Sequence, residues 1–82
     1  MTSSEVDSRI REVMAGVLDV EAEAIGDGFR RDDAEAWDSM NHLRLISALE
    51  EAFGIRFTMK EVGEMGSFGD LRQRVAERLP AG

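Results

Sequence analysis

Residues 37–57, WDSMNHLRLISALEEAFGIRF, run from a polar junction into the most apolar helical pattern of the chain. At 100° per residue, Leu43, Leu45, Ile46, Leu49, Ala52 and Phe53 cover an arc of roughly 180°, which predicts a core-facing helix from Asp38 or Ser39 to about Phe53. Asn41, Arg44, Ser47 and Glu51 fall opposite and are expected in solvent. Gly54 supplies a C-terminal stop, after which Ile55 and Phe57 are expected to cross the core as an extended connector.

Toward the N-terminus, Val6, Ile10, Val13, Met14, Val17 and Leu18 draw one apolar stripe along a first helix of about four turns, opened by a Thr2–Glu5 capping box. Periodicity then stops. From Asp19 to Trp37 the chain is a long loop whose apolar anchors, Ile25, Phe29 and Trp37, should lay it across the bundle. On the other side, Thr58 and Glu61 form a second box before a helix of one or two turns that Gly63 and Gly66 keep short. Ser67 and Asp70 cap a last helix with Phe68, Leu71, Val75 and Leu79 on one face, and Pro80 is expected to end it. The fold class is therefore all-α: a four-helix bundle with a long loop between helices 1 and 2 and a short helix 3. One domain spans residues 1–82, with an ordered core from about residue 3 to 79.

A net charge of −7 argues against nucleic acid and anionic lipid, and no stretch approaches the length of a membrane span. The expected protein is a cytoplasmic monomer whose partners offer basic docking surfaces. Without cysteine there is neither a disulfide framework nor a thiolate metal site, so any thiol chemistry must use an imported thiol.

Seen alone, Asp38-Ser39 is an ordinary helix start. Ser39, His42 and Asp38 include triad residue types, but no strand–turn–helix elbow accompanies them, and His42 reads as a rim residue beside Ser39. The alternating acids from Asp19 fail as an EF-hand because Ala24 and Arg30 occupy positions six and twelve. No metal is expected. Met14, Met40 and Met59 read as adaptable core packing. Glu50, Glu51, Glu61 and Glu64 fit a solvated face or an acidic docking strip equally well.

The combination is more specific than its parts. An Asp-Ser pair after a long loop, opening the central helix of an acidic, cysteine-free chain of 82 residues, resembles the acyl carrier protein family. Asp38-Ser39-Met40 stands for its Asp-Ser-Leu motif, and residues 49–55, LEEAFGI, match its leucine, acidic pair and Phe-Gly-Ile segment. The resemblance implies that Ser39 is esterified with 4′-phosphopantetheine by a phosphopantetheinyl transferase using coenzyme A. The arm's thiol would then carry cargo as a thioester between loading and downstream enzymes. Asp38 would serve transferase recognition, including placement of its metal ion. Trp37, Met40, Arg44, Glu50, Glu51 and Glu61 would meet partners. The chain would be a substrate, not an enzyme.

Met40 for Leu is a near-isosteric change. Asn41 and Arg44 depart further, since those positions are often acidic in fatty-acid carriers, and Arg44 would repel a basic enzyme patch. The expected role is a stand-alone carrier of a dedicated pathway, such as polyketide or specialised lipid synthesis, rather than housekeeping fatty acid biosynthesis. An aminoacyl or peptidyl carrier and an unmodified helical adaptor are the alternatives.

Overall fold

Thr2 starts the first helix by accepting the Glu5 N–H on its side-chain oxygen at 3.2 Å, and α1 runs Ser3–Leu18 in the computed structural model, which describes residues 2–79. The box differs in its second half: the Glu5 carboxylate takes the Thr2 hydroxyl at 3.3 Å instead of reaching its backbone N–H. Val6, Ile10, Met14 and Leu18 are buried, while Val13 and Val17, at the edge of the stripe, are half-buried. Asp19 closes α1 in the left-handed conformation, with φ of 56°.

The long loop carries two single turns of 3₁₀ helix, Ala22–Ala24 and Arg31–Asp33. Its anchors behave as expected: Ile25 and Trp37 are buried and Phe29 packs against the core. Polar stitches finish the attachment. Arg11 Nε donates to the Ile25 carbonyl at 2.8 Å, and an isolated antiparallel bridge pairs Arg30 with Ser67. Around that bridge the Arg31 N–H donates to the Gly66 carbonyl and the Phe68 N–H to the Phe29 carbonyl, each at 2.9 Å. A loop this long would otherwise leave many backbone groups unpaired against an apolar surface.

Helix α2 is Ser39–Phe53, with Asp38 as N-cap and Gly54 as a left-handed C-cap at φ 66°, a conformation that glycine enters without Cβ strain. Its buried residues are His42, Leu45, Ile46 and Leu49, at i, i+3, i+4 and i+7. This corrects the expected arc on one side. Leu43 lies roughly 100° from His42 and is 56% exposed. Asn41, expected in solvent, is half-buried because its side-chain N–H donates to the Ala36 carbonyl at 2.7 Å. Ile55 and Phe57 form the connector, half-buried against the core.

Helix α3, Met59–Glu64, has the complete Thr58–Glu61 box. Helix α4, Phe68–Arg78, starts at Ser67, whose hydroxyl accepts the Asp70 N–H, and buries Phe68, Leu71 and Val75. Leu79 is its C-cap, and Pro80 lies outside the described residues. Among the described residues the chain is thus four helices with no strand, α1 packing on both α2 and α4. Two arginines of these packed helices, Arg11 and Arg72, hold their guanidinium carbons 4.5 and 5.5 Å from the Phe68 ring centroid, and both face Asp27.

Candidate functional site

Ser39 is exposed in the first turn of α2. The first N–H groups of a helix have no intrahelical partner, and Asp38 satisfies that of Asn41 through Oδ1 at 2.9 Å. Asp38 itself is exposed. The remaining groups and the helix dipole make this corner electropositive at short range, within an otherwise acidic chain.

A residue that the sequence did not single out stands beside the serine. Arg31, in the second 3₁₀ turn, donates from Nη2 to Ser39 Oγ at 3.3 Å and from Nε to the Trp37 carbonyl at 3.1 Å. Eight residues separate it from Ser39, and only the fold of the loop brings them together. The available signal was its place in a run of acids, which gives no direction for the side chain.

Beneath Ser39 lies a buried aromatic stack. Trp37 is 2% exposed, with its ring centroid 6.0 Å from those of both Phe29 and His42. Its Nε1–H donates to His42 Nδ1 at 2.9 Å, and His42 Nε2 meets the Val62 carbonyl at 2.7 Å. Those partners assign the neutral tautomer protonated on Nε2. Two expectations are corrected here, for His42 and Trp37. His42 is a core residue tying α2 to α3, because its two ring nitrogens match one donor and one acceptor. Trp37 is buried and has no surface on which a partner can dock. Ser39 gains no general base from His42, whose nitrogens are both committed.

Glu61 also leaves the docking set. It is 8% exposed, caps α3 through Thr58, and receives Arg78 Nη2 in an ion pair, with Arg74 at 3.8 Å. The Thr58 backbone N–H chiefly, then the Thr58 hydroxyl and Arg78, hold its carboxyl below the usual carboxylate range. A depressed acid contributes stability above its ordinary pKa and loses it as pH falls through the folded value. Glu61→Gln should therefore be less stable than wild type at pH 7, the gap narrowing below about pH 4. Urea midpoints across pH 3–7 measure this; a gap independent of pH would refute it.

Glu50 is half-buried, accepting the Phe57 N–H at 2.9 Å and facing Arg56 at 3.6 Å. Its carboxylate is committed to the connector. Arg44 and Glu51 are exposed. Met40 and Met59, expected as core packing, are 64% and 81% exposed; only Met14 of that trio is buried. Met40, Leu43, Arg44 and Ser47 follow i, i+3, i+4 and i+7, so they share one solvent-facing stripe starting beside Ser39.

An accessible hydroxyl at a helix start, with a cation on it and no base of its own, suits a site that another enzyme modifies. The donor set fits a phosphodiester: Ser39 would supply the ester oxygen, and Arg31 and the first turn would supply donors. A polar surface hollow of about 480 Å³, lined by residues including Asp27, Arg30, Glu64 and Asp70, contains neither Ser39 nor Arg31.

Residues 8–75 match the family model described as the phosphopantetheine attachment site, so the chain belongs to that family, that of the acyl carrier proteins. Its cofactor is covalently attached 4′-phosphopantetheine. The solution NMR structure of a holo acyl carrier protein from Geobacter metallireducens is similar, with a TM-score of 0.79 and 26% identity over 89% of this chain and 84% of that one. No curated protein matches.

Proposed function

We propose that Ser39 carries the phosphopantetheine arm and that the protein holds a biosynthetic acyl intermediate on it as a thioester, delivering it to partner enzymes. One observation carries the assignment: Ser39 is exposed in the first turn of α2, beside the Asp38 cap and under the Arg31 guanidinium. The other serines within the matched segment are placed differently. Ser67 spends its hydroxyl capping α4, Ser47 is in the middle of α2, and Ser8 lies within α1. Ser39 Oγ attacks the phosphorus bearing the pantetheine in coenzyme A, the pyrophosphate bond breaks, and adenosine 3′,5′-bisphosphate leaves. The hydroxyl proton passes to the transferase, consistent with the absence of a free base at His42.

Incubation with coenzyme A, magnesium and a phosphopantetheinyl transferase should add the mass of one arm, and fragmentation should map it to the peptide containing Ser39. An arm on Ser8, Ser47 or Ser67, or none with several transferases, would overturn the assignment. Loading assays with acyl and aminoacyl donors then separate an acyl carrier from an aminoacyl or peptidyl one.

The exposed stripe of Met40, Leu43 and Arg44 supports partner docking next to the arm, with Arg44 selecting against enzymes that present basic patches. That favours a dedicated pathway. Arg44→Glu should improve turnover by such fatty-acid synthase enzymes several-fold at low salt, and salt should erode the gain because exposed charges are screened. Wild-type rates equal to those of the enzymes' own carrier would remove the argument.

A further inference from the structure

We propose that Arg31 is a positioning residue for the arm, its guanidinium holding the phosphodiester against the start of α2 and so fixing the direction in which the arm leaves the protein. This rests on the reading of Ser39 as the attachment residue. Nη2 lies 3.3 Å from Ser39 Oγ, the oxygen to which the phosphorus of an attached arm would be bonded directly. Arg31 spends only two of its five N–H donors, on Ser39 and on the Trp37 carbonyl, and keeps the others for the non-bridging oxygens.

Two further observations suit this role. The side chain is held from both ends: the Arg31 backbone N–H donates to the Gly66 carbonyl at 2.9 Å, and the carbonyl under Nε belongs to the buried Trp37. A donor pre-placed in this way loses little entropy when an anion arrives. Its charge is also free. Arg11, Arg72, Arg74 and Arg78 each face a carboxylate, whereas among the described residues no carboxylate forms an ion pair with Arg31. Asp32, Asp33, Glu35 and Asp38 lie within seven residues of Ser39 along the chain, so this cation offsets like charge that an added phosphodiester would meet there.

The test compares apo and holo forms of the wild type, Arg31→Gln and Arg31→Lys, with the arm mapped to its serine by fragmentation in each holo sample. The holo-minus-apo difference in melting temperature should fall by about 1 to 8 °C in Arg31→Gln, the range expected for one exposed charge pair in a domain of this size. Molar salt should shrink the change. Arg31→Lys, which keeps the charge and loses the fork, should restore part of it, and the ³¹P resonance of the holo protein should move in Arg31→Gln. If Arg31→Gln lowers apo and holo forms equally and leaves the ³¹P resonance in place, Arg31 merely fastens the loop and the proposal fails. An arm on Ser39 with that outcome sinks the Arg31 role alone; an arm on another serine sinks both.

Discussion

Ser39→Ala should take no arm at all, and it should fold as well as the wild type. The first half follows from chemistry: alanine has no nucleophilic oxygen, and the other hydroxyls of the matched segment sit on caps or helix faces rather than at the start of α2. The second half follows from position. The Ser39 side chain is exposed, and its hydrogen bond comes from Arg31, which keeps the Trp37 carbonyl as a second anchor. Asp38, not Ser39, caps the helix. Losing the hydroxyl should therefore change stability by under about 0.5 kcal/mol, as expected for a surface substitution away from caps and core. Intact mass after treatment with the transferase and coenzyme A reads the first effect, and urea unfolding reads the second. A variant that still gains an arm would move the attachment site, and one that unfolds would mean that the hydroxyl has a structural role.

Trp37→Ala should lose about 3–5 kcal/mol, as expected when a large core aromatic is truncated. For a domain of 82 residues that is a large share of roughly 4–12 kcal/mol in total. The indole fills the space between Phe29 and His42 and supplies the hydrogen atom that His42 Nδ1 accepts. Trp37→Phe separates the two contributions. It keeps most of the stacking but leaves His42 Nδ1 buried without a donor, a loss of about 1–3 kcal/mol. Adding His42→Leu removes the orphaned nitrogen but also the Nε2–H that the Val62 carbonyl accepts, so it should recover little of that loss. Circular dichroism must follow the unfolding, because Trp37 is the chain's one tryptophan and its fluorescence vanishes with it. If Trp37→Ala keeps the wild-type midpoint and instead slows reactions with partner enzymes, the indole is a docking group after all.

His42 shows how far periodicity reaches. At 100° per residue it falls in the middle of the arc defined by Leu45, Ile46 and Leu49, so its burial was present in the spacing. What hid it was polarity: an imidazole is read as a surface group unless a donor and an acceptor are known to await its two nitrogens. Those partners come from the loop, at Trp37, and from α3, at Val62, and neither is adjacent to His42 in the chain. Leu43 is the converse case. Its hydrophobicity suggested core, while the packing of α2 leaves it facing solvent.

Helix number and limits, the caps at Asp38, Thr58 and Ser67, the turn at Gly54 and the Asp38-Ser39 junction were determined by the sequence itself, because each depends on neighbours within about four residues. The tertiary structure alone decided which charged groups remain available. Glu61 is withdrawn by Arg74 and Arg78 from α4, and Glu50 by the backbone of the connector. Arg31 is turned onto Ser39 because the loop is pinned to Gly66 and Phe68 on one side and to the buried Trp37 on the other. Charge counts along a chain are local, but the partner of a charge is set by which segments pack together.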